Sequence, residues 1–395
     1  MANAKKLLQQ ANTAFEQSNN MQGLAILREY VIENPADLDQ LYRLGVIEEQ
    51  IGTEKDALSA YFKCIKNDKS FMRAYLYAGY LLQQKGRLDE ALSLYSLGHD
   101  QDQWLIYLHY KENLSYETRL RSYTADIALR KHFTDLHFQS VKNSHSSTRI
   151  EKAIWPQTHI DKVCYIKEKQ QPHLFYIPNL AAQPIHHNKS FSWTKIVEDD
   201  FNELTSEFSN LLVLMNTMGI PYLDESFKNK GFEVLAGSMN WSALNLFKDG
   251  VENTTLLSLM PKTLKMLDKL PLYKVDDKPF EVFFSLLKAG QHITPHYGQS
   301  NHSLTVHLPI IVPKGGYLTV AEQKIYWQKG KVVIFDDSFE HEAINPSNED
   351  RIVLIFSIWH PDLSTDEQQD ILASFQARKL WLENRHKVVD LDSSA

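Results

Sequence analysis

The sequence predicts a multidomain α and β protein in which α-helical repeats at the amino-terminal end precede a β-rich jelly roll. Two observations support this prediction. Small and aromatic residues recur at a spacing of 34 positions through the first hundred residues, and short β-rich runs separated by turn signals follow one another from residue 281. The length of 395 residues is enough for two or three domains, and 43% of the residues are hydrophobic, an ordinary globular composition.

The helical repeat rests on four pairs of similar residues. The members of each pair stand 34 positions apart: Leu44 and Ala78, Gly45 and Gly79, Ala57 and Ala91, Tyr61 and Tyr95. One period earlier the chain has Ala11, Gly23 and Leu27. We interpret each unit as two amphipathic helices, in which a small residue lets the paired helix approach and an aromatic ring fills the gap. The pattern resembles the tetratricopeptide repeat, with three units over about residues 4–105, and stacked helix pairs form a concave surface suited to binding a peptide or protein.

The region after the repeats is predicted to be helical and then polar. Residues 115–139 have a helical pattern, and residues 142–148 are polar without periodicity, which indicates a linker. The apolar side chains expected near one face of this helix are Leu120, Tyr123, Ile127, Phe133 and Leu136. Further along, residues 174–180 are strand-like and residues 199–215 have a helical pattern.

The carboxyl-terminal half is predicted to be a jelly roll with helices outside it. Its expected strands are residues 281–288, 303–312, 317–321, 324–327, 331–335 and 352–358. A capping box from Ser364 to Glu367 predicts a final helix that ends near residue 384. The predicted limits are 1–110 for the repeats, 111–150 for the connecting helix and linker, 151–365 for the jelly roll and 366–395 for the final helix and tail.

Composition excludes several classes of protein. The net charge is −7 and acidic and basic residues are mixed along the chain, so the charge distribution does not indicate binding to nucleic acid. The apolar runs are far shorter than the ~18 residues that a membrane-spanning helix needs, and no secretory signal is visible. The two cysteines, Cys64 and Cys164, stand a hundred positions apart, which excludes a disulfide framework and a cysteine-based zinc site. We therefore expect a cytoplasmic protein without a membrane span.

Histidines concentrate in the predicted jelly roll. Six of the sixteen lie between residues 292 and 360. His296 is expected after a strand and its turn, and His341 after the strand 331–335, so that the two imidazoles can converge on one divalent metal ion. Non-haem iron oxygenases use two histidines and one carboxylate, but the position where a His-x-Asp unit would have its carboxylate is Gly298 here. From these residues alone, a structural role for the histidines stays open.

Several motifs resemble the aspartyl/asparaginyl β-hydroxylases, from about residue 175 to residue 363. Residues 335–342 read Phe-Asp-Asp-Ser-Phe-Glu-His-Glu, which matches the family's motif without a change. The family's His-x-Gly-x-x-Asn stands at 296–301, and Thr-Val-His-Leu at 305–308 corresponds to another of its motifs. That family also has glycine where related oxygenases keep the carboxylate, and several members carry tetratricopeptide repeats before the catalytic domain.

This resemblance implies a double-stranded β-helix oxygenase domain that uses Fe(II), 2-oxoglutarate and O2. It implies His296 and His341 as the metal ligands, and contacts to 2-oxoglutarate from Trp241, Ser285, His307 and Arg351. A bidentate pair between the guanidinium of Arg351 and the distal carboxylate would suit that last role. The implied reaction is hydroxylation of the β-carbon of an Asp or Asn residue in a protein or peptide, engaged through the repeats.

Two features leave alternatives open. Asp336, Asp337 and Glu340 beside His341 could orient the ligand histidine, form a turn, or replace the missing carboxylate as a ligand, in that order of preference. Thr305 stands where many family members have arginine. If that arginine binds an acidic substrate in relatives, the substrate preference differs here.

Two other functions compete with hydroxylation. An open coordination position beside Gly298 could hold chloride, as in related carrier-dependent halogenases. Alternatively, the protein could be a repeat scaffold whose jelly roll has lost catalysis. The match at residues 335–342 argues against the first function, and the intact set His296, His341 and Arg351 argues against the second.

Overall fold

The computed structural model describes residues 2–141 and 148–389, and the chain divides into two compact units. The first consists of Met1–Ser140 and Ser374–Ala395, and the second of Val141–Ala373. None of the helices in these described parts is long and apolar enough to cross a membrane.

The first unit is built from helix pairs, as the repeat predicts. Its first six helices are α1 (Ala2–Glu16), α2 (Asn20–Glu33), α3 (Leu38–Ile51), α4 (Glu54–Asn67), α5 (Met72–Gln84) and α6 (Leu88–Gln101). A Cβ atom on Gly45 of α3 would lie 2.4 Å from the ring of Tyr61 on α4, and one on Gly79 of α5 would lie 2.5 Å from Tyr95 on α6. Because only glycine fits beneath each ring, the predicted pairing of small and aromatic residues is confirmed.

Helix α7 (Tyr116–Val141) is present as predicted, but its predicted apolar face is partly wrong. Leu120, Tyr123 and Ile127 are 37%, 52% and 37% exposed. The buried side instead carries the residues Ser122, Ala125, Asp126, Leu129, Phe133 and His137. Polar side chains within this buried stripe conceal its helical period. Of the predicted linker, residues 142–147 lie outside the described residues, and Thr148 begins helix α8 (Thr148–Glu151).

The second unit contains two antiparallel sheets that face each other, which is the predicted double-stranded β-helix, or jelly roll. The strands of these sheets are β1 (Ile185–His186), β2 (Ile220–Pro221), β3 (Trp241–Lys248), β4 (Val251–Glu252), β7 (Glu281–Leu287), β8 (His292–His296), β9 (Ser303–Ile311), β10 (Tyr317–Val320), β11 (Gln323–Tyr326), β12 (Val333–Phe335), β13 (His341–Ile344) and β14 (Arg351–Trp359). The larger sheet runs in the order β1-β12-β9-β14-β7-β3-β2, with β4 paired to β3, and the smaller in the order β11-β10-β13-β8. Strands β5 (Lys274–Val275) and β6 (Lys278–Pro279) form a separate hairpin.

The six predicted strands are confirmed to within two residues at each end. Strands β3, β8 and β13 were not predicted. Residues 174–180 form only isolated bridges, such as Ile154 with Tyr176, because their backbone groups bond to loops: Phe175 N–H donates to Gln299 O and Ile177 N–H to Asn301 Oδ1. The predicted helix 199–215 is divided into α9 (Thr194–Asp199), α10 (Phe201–Leu211) and a 3-10 turn, with Asp200 at the first break.

Successive side chains of a strand point to opposite faces of the sheet, so the larger sheet presents one face to the hydrophobic core and the other to the cavity. Even-numbered residues of β7, β9 and β14 pack against α9, α10, α11 (Thr254–Ser258) and α12 (Pro261–Leu267). Odd-numbered residues of the same strands face the smaller sheet. The predicted capping box begins α13 (Thr365–Val388): Glu367 N–H donates to Ser364 Oγ and Ser364 N–H to Glu367 Oε2.

Candidate active site

His296 and His341 lie side by side in the smaller sheet. His296 is the last residue of β8, His341 is the first residue of β13, and the two are paired in the sheet register. Their ring centroids are 4.1 Å apart. The sequence placed both histidines after strands, whereas they belong to two strands that it did not predict. Pairing of the two strands brings residues 45 positions apart into contact.

Hydrogen bonds fix the same tautomer in both rings. Nδ1–H of His296 donates to Thr294 O, and Nδ1–H of His341 donates to Phe339 O, each at 2.8 Å. Each Nε2 therefore carries the lone pair. Burial lowers the pKa of His296 to about 3, assisted by the neighbouring His341, and burial lowers the pKa of His341 to about 4. Two neutral imidazoles with oriented Nε2 atoms are suitable donors for a divalent transition metal.

Arg351 is a buried cation without a carboxylate partner. Its side chain is 1% exposed, Nη2–H donates to Ser285 Oγ at 3.2 Å, and the guanidinium lies 4.8 Å from the centre of the Trp327 ring. Its Nε–H has no partner, and no Asp or Glu of the described chain lies within ion-pair distance. Burial lowers the pKa of Arg351 to about 9. Because a buried unpaired charge is costly, this arrangement fits an anionic ligand.

Ser285 links Arg351 to Trp241. Its hydroxyl accepts hydrogen bonds from Arg351 and, at 3.3 Å, from Nε1–H of Trp241. Ser285 pairs with Ala243 on one side and Val353 on the other, so the register of β3, β7 and β14 sets this contact. With two donors on its oxygen, the Ser285 hydroxyl keeps its own hydrogen for a ligand.

His307 completes the buried set. It lies on β9 opposite Ile355, and its ring faces those of Trp327 and Phe335 at 6.2 and 5.0 Å. Its Nδ1 is buried without a partner. Burial, together with the nearby Arg351, lowers the pKa of His307 well below its usual value. All six side chains that the sequence singled out line one cavity of about 570 Å³, part of it open to solvent: Trp241, Ser285, His296, His307, His341 and Arg351.

The space beside Gly298 is filled by Asp337. A Cβ atom on Gly298 would lie 2.5 Å from Cγ and Oδ1 of Asp337. Gly298 N–H donates to the Asp337 backbone carbonyl at 2.6 Å, and Thr305 Oγ1–H donates to Asp337 Oδ2 at 3.1 Å. Burial raises the pKa of Asp337 to about 6. A carboxylate from another strand connection thus stands where a side chain at position 298 would project.

The other two acidic residues point elsewhere. Asp336 is fully buried and accepts hydrogen bonds from Ser338 and Gln170, which makes it a turn former. Glu340 forms an ion pair with Lys169 at 2.7 Å. In the chain as described, no group of three or more His, Cys, Asp or Glu side chains is arranged to hold a metal ion. His296 and His341 thus lie side by side without a third such side chain arranged with them in the described chain.

The cavity also contains residues that the sequence reasoning did not single out. These residues are Glu281, Phe283, Tyr222 and Ile355, and Thr305, already noted from the sequence, lines the same cavity. Glu281 and Phe283 share a face of β7 with Ser285, so alternation along that strand was the available signal. Tyr222 stacks on Trp241 with ring centroids 4.2 Å apart, a contact that no sequence pattern indicates.

Comparison with known proteins finds similarity to the same family. Residues 198–361 match the family model described as aspartyl/asparaginyl beta-hydroxylase. The human aspartyl/asparaginyl beta-hydroxylase is 30% identical over 209 residues, which cover 51% of this chain and 26% of that protein. The mouse protein is matched over 27% of its length, so the chain spans about a quarter of these curated relatives.

Two further matches differ in their named activity. An ornithine lipid ester-linked acyl 2-hydroxylase of Rhizobium tropici is 27% identical over 185 residues, covering 46% of this chain and 62% of that protein. A solved prolyl 4-hydroxylase structure from Phytophthora capsici is 16% identical and covers 53% of this chain and 81% of that chain, with a TM-score of 0.26.

Proposed function

We propose that this protein is an Fe(II)- and 2-oxoglutarate-dependent dioxygenase, because residues 198–361 match the model of the aspartyl/asparaginyl beta-hydroxylase family. The proposed reaction hydroxylates the β-carbon of an Asp or Asn residue in a protein or peptide substrate. The helical repeats are proposed to engage that substrate through their concave surface.

The unpaired guanidinium of Arg351 is the observation that carries this proposal. It lies in the same cavity as the two histidines, and Ser285 and His307 have hydrogen-bonding atoms directed into that cavity. A dicarboxylate fits this pattern, because one carboxylate would pair with Arg351 and the other end would extend toward His296 and His341.

Each residue has a role that follows from its contacts. His296 and His341 would hold Fe(II) through Nε2, in orientations set by their Nδ1–H bonds to backbone carbonyls. Arg351 would bind the distal carboxylate, Ser285 would donate to it, and Trp241 would cover the methylene chain. When bound, Fe(II) and 2-oxoglutarate supply the oxidation: O2 is consumed, one oxygen atom enters the substrate C–H bond, and succinate and CO2 are released.

The halogenase alternative requires an anion site beside Gly298. The carboxylate of Asp337 occupies that space, and a chloride ion there would face a like charge. If the protein were only a scaffold, nothing would compensate the cost of burying the Arg351 cation. Both observations favour the oxygenase.

The test is succinate release by the purified protein supplied with Fe(II), 2-oxoglutarate and O2. We expect turnover that His296→Ala and His341→Ala each abolish, since one histidine cannot hold the metal alone. His137, a buried histidine of the helical unit, provides a control: turnover of a folded His137→Gln variant should persist. Metal-dependent turnover that survives both cavity substitutions would contradict the proposal. Mass spectrometry of trapped partners should then find a 2-oxoglutarate-dependent gain of one oxygen.

A further inference from the structure

The two ends of the cavity carry opposite charge. Arg351 is, among the described residues that line it, the only one with a permanent positive charge. Glu281 and Asp337 are the cavity's two carboxylates. Glu281 stands four residues before Ser285 on the same face of β7, which places it about 13 Å away at a rise of about 3.3 Å per residue. The 2-oxoglutarate end is therefore cationic and the remaining end acidic.

Glu281 is only partly satisfied by the protein. Its Oε1 accepts a hydrogen bond from the Ser357 hydroxyl at 2.5 Å. In the described parts of the chain, no group donates a hydrogen bond to its Oε2. No Lys, Arg or His of those parts lies within ion-pair distance of the carboxylate. Burial raises the pKa of Glu281 to about 7, and Asp337 adds to this effect. Among the described residues, the Glu281 carboxylate thus has the Ser357 hydroxyl as a partner but no positive or N–H-bearing group.

Aromatic rings stand next to this acidic end. Tyr222 lies between Trp241 and Phe283, with ring centroids 4.2 and 5.5 Å away. These rings and Glu281 line the same cavity. Aromatic faces beside carboxylates attract cationic and N–H-bearing groups and offer nothing to a carboxylate. The unpartnered Nδ1 of His307 and Nε of Arg351 in the same cavity indicate that the space is built for ligands.

We propose that the substrate group entering this cavity carries N–H donors and no negative charge, and that Glu281 receives it. An asparagine amide, a lysine ammonium or an arginine guanidinium has this chemistry, whereas an aspartate carboxylate does not. The inference rests on the proposed function, because it takes the carbon beside this group as the site of oxidation. Within that function it selects against aspartate, since a substrate carboxylate at this end of the cavity would face the carboxylate of Glu281.

Short peptide pools with a fixed central Asn, Asp, Lys or Arg and random flanks test the inference on the full-length protein. The protein loaded with Fe(II) and 2-oxoglutarate is measured for the fraction of each pool retained on ultrafiltration and for succinate release. We expect at least one of the Asn, Lys and Arg pools to exceed the Asp pool by about tenfold or more in both measurements, the size of one charge-assisted hydrogen bond. The pool with the highest retention and succinate release identifies the substrate group that the cavity accepts.

Glu281→Gln should reduce this preference toward equality, because it removes the charge and keeps the shape. Glu252→Gln removes an exposed charge on the neighbouring strand β4 and should leave the preference unchanged. If Glu281→Gln fails to fold, the wild-type ranking alone decides. A leading Asp pool, or four pools that do not differ, would overturn the inference, while succinate release without peptide would leave the proposed function standing. Selective retention without any succinate release would contradict the function and keep the selectivity.

Discussion

The two compact units each bury an arginine, and they treat its charge differently. Arg121 of the helical unit is 5% exposed and forms a bidentate pair with Glu49 at 2.8 and 3.0 Å, with Glu117 as a further partner. Burial alone would lower its pKa, but Glu49 and Glu117 outweigh burial and raise it. Arg351 of the β unit is 1% exposed, has no carboxylate partner in the described residues, and its pKa is lowered to about 9. The carboxylates beside Arg121 compensate its charge within the fold, whereas the proposed function assigns the charge of Arg351 to an anionic ligand.

The largest expected effect comes from breaking the paired arginine. Arg121→Ala leaves Glu49 and Glu117 without their cation and should cost about 3–5 kcal/mol of unfolding free energy in the helical unit. Succinate release per folded molecule should not change. Denaturant unfolding followed by circular dichroism measures the first quantity. Equal stability of Arg121→Ala and the wild type would show that the pair is not structural.

The unpaired arginine should show the opposite behaviour. Arg351→Ala should raise the 2-oxoglutarate requirement by about two orders of magnitude or more, the usual consequence of losing about 2–5 kcal/mol from a desolvated charge pair. Its stability without ligand should equal or exceed that of the wild type, since an uncompensated buried charge is removed.

Thermal unfolding with and without 2-oxoglutarate separates these quantities. The ligand should stabilise the wild type and not Arg351→Ala at the same concentration. Saturation of Arg351→Ala at the wild-type concentration would exclude this arginine as the anion site.

Arg351→Lys sharpens the comparison by keeping the charge. A lysine cannot form the planar bidentate pair, so the 2-oxoglutarate requirement should fall between those of the wild type and Arg351→Ala. Titration of 2-oxoglutarate against succinate release measures it. A lysine variant as weak as the alanine variant would mean that geometry, and not charge, dominates binding.

A smaller effect is expected at Gly298, where the β unit packs a carboxylate against a backbone. Gly298→Ala would push its Cβ into Asp337 and should cost about 1–3 kcal/mol, the usual range for overpacking. Gly316→Ala is the matched control, because its Cβ would be 3.4 Å from the nearest atom. Unfolding of the β unit in denaturant compares them. Equal stability of the two variants would contradict the contact with Asp337.

The smallest effect concerns pH and the acidic end of the cavity. Burial raises the pKa of Glu281 to about 7 from an ordinary value of about 4.5, so its ionisation opposes folding above pH 7 and has no effect below pH 4.5. Glu281→Gln should therefore raise the melting temperature by about 2–4 °C at pH 8 in the metal-free protein, and the gain should shrink toward pH 5. A gain that grows on acidification would contradict the assigned sign.

Local sequence was sufficient where a few neighbouring residues decide the structure. The period that pairs Gly45 with Tyr61 gave the helix pairs, and Ser364 with Glu367 gave the start of the last helix. Local sequence failed to predict the structure where contacts between residues far apart in the chain determine it. Polar residues such as Ser122 enter the buried side of α7, and residues 174–180 bond to loops and not to strands.

The sequence by itself determined the order of helical repeats and jelly roll, because periodicity is a local property, and the resemblance of its motifs to a family implied the six side chains to consider. The tertiary structure decided that these six line one cavity, since they come from strands β3, β7, β8, β9, β13 and β14, whose pairing joins distant segments. It also decided that Asp337 fills the space at Gly298, that Glu281 lines the same cavity as Arg351, and that Arg351 has no carboxylate partner among the described residues. Those are properties of what lies nearby in space, which strand register fixes and residue order along the chain does not.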